Sequence, residues 1–274
     1  MRMDRDYCKS AWLIGLLLVV VSLGGCGRKE TVDTLLTGPD AGQLAAPAEF
    51  AARALDASGG VDAWAEKQRL DFEGVVTLYQ RDGSFYLTEQ RYEVYPWSGA
   101  IRVSGTEPGG EFVCRLTKSG FEVMLGAEAL AGLPSRVSPR DLADCVLNIA
   151  TVPAALVDLS YEFTRMSEPV RVDGQWYDLI DRSYRVEEEA AAKRGRRGDE
   201  RECYWSRVVL RQNRDTHLVS MIWFGKAGMQ QLLVRGYDYE EVAKGDVLIP
   251  TKIEIFTTDS EGGSARRVVK IDVK

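Results

Sequence analysis

The chain has 274 residues, with 35 Lys and Arg against 41 Asp and Glu, a formal net charge of −6 and a single histidine. An acidic chain with no long basic stripe lacks the electrostatic basis for nucleic-acid binding, so no nucleic-acid partner is expected. The length leaves ample chain to bury a core, and one β-rich domain is favoured over two small ones.

At the N-terminus Arg2, Arg5 and Lys9 outnumber Asp4 and Asp6, and Ala11 to Leu23 follow without a charge. A helix needs about twenty apolar residues to cross the hydrocarbon core, so this shorter run reads as an export signal rather than a span. Leu23-Gly24-Gly25-Cys26 then has the form of a lipobox: a branched apolar residue, two small residues that fit a narrow peptidase site, and a cysteine that is acylated before cleavage. The sequence predicts a lipoprotein signal peptide over residues 1–25, acylation at Cys26 and a chain anchored to the periplasmic side of a bacterial membrane. An anchor of two or three acyl chains is effectively permanent. Gly27, in place of the aspartate that in some bacteria retains lipoproteins at the inner membrane, favours the outer membrane. Removing residues 1–25 takes away three basic and two acidic residues, leaving 32 against 39. Residues 26–47, rich in Gly, Ala, Thr and Pro, read as a flexible tether.

An ordered domain is expected over residues 48–274. Phe50, Ala51, Ala54 and Leu55 fall at helical spacing, Gly59-Gly60 stops that helix, and Val61 to Lys67 form one more turn carrying Trp64. From Leu70 the period changes towards 2. Leu70–Gln80, Ser84–Tyr95, Ala100–Gly105, Glu111–Thr117 and Gly120–Leu125 read as an antiparallel meander, divided by turn sequences such as Arg81-Asp82-Gly83 and Pro108-Gly109-Gly110. Ser138-Pro139-Arg140-Asp141 opens a helix with an N-cap serine and an N1 proline. Pro153 is expected to break it, with a second short helix over Ala154–Leu159. Strands resume with a short one near Tyr161, then Val170–Val172, Trp176–Val186, Glu202–Gln212, His217–Gly225, Met229–Tyr239, Leu248–Thr258 and Ala265–Val273. The predicted fold is mainly β: a curled antiparallel half-barrel of about 11 or 12 strands, wrapped over short helices that fill its concave face.

No catalytic centre, metal site or cofactor is predicted. No G-x-S-x-G elbow, H-E-x-x-H pair, phosphate loop or dinucleotide fingerprint occurs, and His217 follows a turn at a strand start with no nucleophile motif beside it. Gly262-Gly263-Ser264 reads as a hairpin turn. Cys114, Cys145 and Cys203 allow one disulfide at most, with buried free thiols as the alternative. The acidic and then basic segment Glu187–Glu202 is either a docking patch or a solvated loop with Glu-to-Lys pairs.

Strand alternation nominates inward residues. Leu70, Phe72, Val76 and Leu78 share one face of the first strand, and Arg69, Asp71, Glu73 and Thr77 the other. Phe112 and Leu116, then Phe121, Val123 and Leu125, then Leu218, Ile222 and Phe224, form similar rows. Leu70, Phe72, Val76, Leu78, Phe112, Leu116, Phe121, Val123, Ile222 and Phe224 are accordingly candidates either to line a ligand cavity or to form a packed core. Trp97, Trp176 and Trp223 are candidate walls or rims.

The order of these pieces resembles the LolA/LolB-like envelope proteins. The resemblance runs over residues 48–274 and is carried by several weak motifs. These are the opening helix with Ala57-Ser58-Gly59-Gly60 and Trp64, the long first strand at Leu70, Arg102 after Pro96, the helical interruption from Pro139 to Leu159, the block Gly245-Asp246-Val247-Leu248-Ile249-Pro250-Thr251-Lys252-Ile253, and the closing hairpin. It implies a half-open barrel with an apolar cavity for acyl chains and no catalysis; the lipobox suits an anchored acceptor better than a free carrier. Arg102 is the candidate for the family's functional arginine, with an exterior surface pair as the alternative. The expected function is a non-enzymatic lipid- or lipoprotein-binding module, in lipoprotein sorting or envelope maintenance. Its expected partners are the membrane, through the acyl anchor, and an acyl chain or lipoprotein. The competing reading is an envelope interaction or sensor subunit whose barrel is packed and whose surface binds another protein.

Overall fold

The computed structural model describes residues 49–158, 160–184, 204–225, 230–242, 247–258 and 264–274. The signal peptide, Cys26, the tether, Cys203, the segment Glu187–Glu202 and Gly262-Gly263 lie outside the described residues. Two helices, α1 (Glu49–Ala57) and α2 (Val61–Glu66), lead into five strands, β1 (Leu70–Tyr79), β2 (Phe85–Tyr95), β3 (Ala100–Glu107), β4 (Gly110–Thr117) and β5 (Gly120–Leu125). Next come α3 (Ala127–Ala131) and α4 (Pro139–Ala155). The remaining strands are β6 (Tyr161–Arg165), β7 (Val170–Val172), β8 (Gln175–Tyr184), β9 (Arg207–Asn213), β10 (Val219–Gly225), β11 (Gln231–Glu241), β12 (Leu248–Thr258) and β13 (Ser264–Val273).

All 13 strands among the described residues join one antiparallel sheet in the order β5-β4-β3-β2-β1-β13-β12-β11-β10-β9-β8-β6, with β7 also on β8. The first and last strands in sequence meet in the middle, with Val76 opposite Ile271 and Leu78 opposite Val269. The two edges, β5 and β6, do not pair with each other. The sheet is therefore a curled half-barrel, as the periodicity predicts.

What fills the curl is α4. Ser138 caps it, its Oγ accepting the Asp141 N–H at 3.0 Å, and Pro139 occupies the first turn. The helix is buried on nearly every side, from Leu142 to Val152, and packs against β3, β4, β10, β11 and β12. Its few buried polar groups are partnered, Asn148 donating to Asp144 Oδ1 at 2.9 Å and accepting from Arg182 at 2.8 Å, and a helix so apolar on most sides is stable only inside a core. It does not break at Pro153 as expected but runs to Ala155. The proline lies two residues from the end, so it removes one ladder bond near the terminus. Burial of Val152 and Ala154 against the sheet offsets a cost that in mid-helix reaches about 3 kcal/mol. No second helix follows it among the described residues.

The Ser58-Gly59-Gly60 and Trp64 motif is a structural joint. Trp64 is fully buried, and its indole N–H donates to the Ser58 carbonyl at 3.1 Å and to Ser58 Oγ at 3.2 Å. The Leu248 N–H donates to the same carbonyl at 3.0 Å, tying the opening helices to β12. Gln212 does the same for α1 and β9, donating from Nε2 to the Phe50 carbonyl at 2.9 Å.

Candidate functional site

Along β1 to β4 the inward positions are fixed by register: Gly74 lies opposite Gln90, Gln90 opposite Gly105, and Gly105 opposite Phe112. Near the β1–β2 hairpin the start of α4 does not fill the curl. Leu78, Gln90, Val103, Phe112 and Cys114 of the sheet face Leu142 and Ala143 of α4 across a cavity of about 220 Å³, roofed by residues 130–137. Gly105 makes this wall flat. A Cβ there would stand 2.7 Å from the Phe112 ring and 2.9 Å from the Glu89 carbonyl, so the ring can lie across the glycine.

The roof is set by local turns. Gly126 holds a left-handed conformation, φ 68°, against Glu111 and Phe112 and starts α3. The Gln80 side chain donates to the Pro134 carbonyl, attaching the roof to the β1–β2 turn. The cavity walls are mostly apolar. Gln90 Oε1 is satisfied by the Tyr92 hydroxyl at 2.9 Å. Further along the same inward face, Glu107 is buried and accepts from the hydroxyls of Tyr86 and Thr88. That bond pushes the Tyr86 phenol up. Burial pushes the Cys114 thiol up to about 12, and the fully buried Cys145 thiol is also raised, so neither is a nucleophile at neutral pH. Both are free thiols.

Leu78 and Phe112 are the two predicted residues on this cavity. Leu70, Phe72, Val76, Leu116, Ile222 and Phe224 face inward but are buried in the packed core, and Phe121 is half-buried against it. Val123 departs from the inward row: it is 39% exposed, because β5 is an edge strand with no strand beyond it among the described residues. Leu125 is exposed for the same reason. Trp97 packs against the core, Trp223 contributes to a second cluster with Tyr177, Met221 and Leu233, and Trp176 is 48% exposed. Sequence reasoning missed Gln90, Val103, Cys114 and the whole roof from Leu130 to Val137. The inward parity of Val103 and Cys114 relative to Phe112 was the available signal.

Arg102 lies on the outer face and pairs with Glu93 at 2.9 Å, which is the surface-pair alternative. His217 precedes its strand, which starts at Val219, and holds φ 60° in the turn, where its carbonyl accepts from Gln212 at 2.8 Å. Among the described residues no three His, Cys, Asp or Glu side chains are grouped to hold a metal, and no helix is long and apolar enough to cross a membrane. A wider, more open depression of about 590 Å³ on β1 to β4 is bordered by Glu73, Glu89, Arg91, Glu111 and Lys274. Its lining mixes these charges with Leu87, Phe112 and Val113, whereas the smaller cavity is mostly apolar and so is the stronger candidate for an apolar chain.

A LolA superfamily protein from Nitrosomonas europaea is similar over 84% of this chain and 92% of its own, with a TM-score of 0.52 and 13% identity. The fold is LolA/LolB-like. Weaker similarity extends to a DUF1329 family protein from Desulfovibrio piger, with a TM-score of 0.43 and 15% identity over 82% of this chain and 90% of that one. It extends also to a Vibrio parahaemolyticus domain described as outer membrane lipoprotein-sorting, with a TM-score of 0.41 and 9% identity over 82% and 91%. No protein-family model and no curated protein matches the chain. In this LolA/LolB-like fold the cavity lies between the concave sheet and the start of the central helix, bounded by the short roof segment.

Proposed function

We propose that this LolA/LolB-like module binds the acyl chain of a lipid or lipoprotein in the cavity beneath residues 130–137, without catalysis. The lipobox cysteine, Cys26, would hold it at the periplasmic side of a membrane, the outer membrane being favoured by Gly27. The observation that carries this reading is the apolar cavity itself, walled by Leu78, Val103, Phe112 and Leu142 and open beside the roof. Its 220 Å³ falls below the roughly 300–1,000 Å³ of pockets that enclose drug-sized ligands. As it stands it admits the end of one chain rather than a whole lipid, which suits transient custody better than storage. Each methylene that leaves water there contributes about 0.8 kcal/mol.

The test is native mass spectrometry of the purified chain, with tandem fragmentation of whatever is bound. An acyl-bearing adduct is expected, and Leu142→Trp, which fills the cavity from α4, should abolish it while the melting temperature holds. A chain free of lipid that captures an envelope protein instead would establish the packed, partner-binding alternative. That alternative draws support from Met124 and Leu125, exposed on the edge strand β5.

A further inference from the structure

Among the described residues the cavity is lined by one cation, and that cation has an unused donor. Arg136, on the roof, lines the cavity, and its Nη1 is shielded from solvent without a hydrogen-bond partner. Two more arginines, Arg266 and Arg81, are close enough to repel it, and Arg266 is held there by backbone. Arg266, from the start of β13, donates from Nη2 to the carbonyls of Gln80 at 3.0 Å and Arg81 at 2.9 Å, and Gln80 in turn reaches Pro134, two residues before Arg136. Arg266 is thus tied through Gln80 to the roof segment that carries Arg136, and the charges of Arg266 and Arg81 both act on Arg136. Burial and then the charges of Arg266 and Arg81 draw the Arg136 pKa down, with no acid opposing them. A carboxylate that feels the charge of Arg266 is Asp82. It is occupied by the Ser84 N–H at 2.9 Å and Ser84 Oγ at 2.7 Å and faces Arg266.

Three like charges beside a single carboxylate leave a net positive site, less favourable when empty and more favourable when an anion arrives. A guanidinium presents paired donors that match phosphate or carboxylate oxygens. We propose that Arg136, backed by Arg81 and Arg266, receives the anionic headgroup of an amphiphile whose acyl end occupies the cavity. This rests on the acyl-binding reading and adds a headgroup class to it: an anionic phospholipid over a zwitterionic one. Arg136 makes the contact. Arg81 and Arg266 raise the local potential.

The experiment presents the full chain, purified in non-ionic detergent, with equimolar phosphatidylglycerol and phosphatidylethanolamine of identical acyl chains, and counts the two adducts by native mass spectrometry. Both headgroups offer phosphate oxygens, but the ammonium of phosphatidylethanolamine is repelled by the net positive site, so phosphatidylglycerol should dominate by roughly tenfold, about 1.4 kcal/mol. Arg136→Gln should bring the ratio close to parity with the total adduct unchanged, and Arg136→Lys should keep most of the preference. Parity in the parent with lipid bound, or a preference that survives Arg136→Gln, overturns the headgroup assignment and leaves acyl binding standing. No adduct of either kind overturns both. A parallel arm measures the melting temperature with inorganic phosphate alone. Stabilisation by phosphate that Arg136→Gln removes, without any lipid preference, would mark a site for free anions and overturn the amphiphile.

Discussion

Val76 and Leu133 separate packed core from open cavity, and a glutamate at each should behave in opposite ways. Val76 is fully buried in the middle of β1, between Thr88 and Ile271. A carboxylate there would be stripped of water with no partner, and buried glutamates can reach a pKa of about 8–9. Against an unfolded value near 4.3, proton uptake alone would cost about 4 kcal/mol at pH 7, on top of about 1.5–3 kcal/mol for the lost valine. Domains hold only about 5–15 kcal/mol in total, so Val76→Glu should be near its unfolding midpoint without denaturant. The sign of the pH effect follows: a raised folded pKa preserves stability below the unfolded pKa and loses it as pH rises. Moving from pH 7 to pH 5 should therefore recover about 2.7 kcal/mol. Leu133 is half-buried and lines the cavity on the roof, where a glutamate can keep its carboxylate in water. Leu133→Glu should cost about 1 kcal/mol, show no such pH dependence and lose bound lipid. Urea unfolding followed by far-UV circular dichroism at the two pH values, beside native mass spectrometry, reads both. A stable, pH-independent Val76→Glu would refute the partition, because it would mean that water reaches the middle of β1.

Gly126→Ala puts a side chain at φ 68° with its Cβ 2.0 Å from the Glu111 carbonyl oxygen and 2.8 Å from Phe112 Cα. Strain of about 1–3 kcal/mol at roughly 2–4 °C per kcal/mol for a domain of this size predicts a melting temperature several degrees lower, measured by calorimetry, with weaker lipid retention because Phe112 lines the cavity. With its thiol pushed up to about 12 from an ordinary 9.0, Cys114 should react with maleimide at pH 8 about a thousandfold more slowly than a free cysteine and label fully in denaturant. Fast labelling in the folded chain would contradict the burial. Burial pushes the Asp178 carboxyl up, but hydrogen bonds from Arg165 at 2.7 Å and Arg214 at 2.7 and 2.8 Å outweigh it and hold the pKa below the usual carboxylate range. That stability is present above the unfolded pKa and lost as pH falls through the folded one. Asp178→Asn should cost about 1 kcal/mol at pH 7, both arginines being nearly half exposed, and nothing once the parent is protonated in acid; equal urea midpoints at pH 7 would sink this.

The face that each residue occupies was legible, because alternation is a local property. Leu70, Phe72, Val76 and Leu78 are all inward, and the Ser138-Pro139 cap and the Trp64 joint stand where their chemistry places them. Depth along a strand was not legible. Phe72 and Leu78 share a face six residues apart, roughly 20 Å, so one lies in the packed core and the other at the cavity. Nothing in their own sequence distinguishes them, since the difference is made by where α4 begins. Val123 has the same alternation as Phe112, and only strand order reveals that it belongs to an edge. The roof escaped because α3 is five residues long, too short to display a period, and because Arg136 draws its meaning from Arg81 and Arg266, far away in sequence.

The open seam and the cavity have a common origin. Closing the barrel would require β5 to pair with β6, yet the connection between them carries α4 into the interior, and α4 buries too much apolar surface to leave it. The sheet must then stay open on that side, and the residues that cross the opening, 126–138, carry few buried side chains of their own: Ala129, Leu130 and Val137. Segments with little buried apolar surface open at low cost, whereas α4, buried over nearly its whole length, opens only with the domain. A half-barrel of this construction therefore concentrates its local instability in the roof of its apolar cavity. Admitting a chain longer than 220 Å³ allows would involve those residues and leave the sheet register and the α4 core as they are.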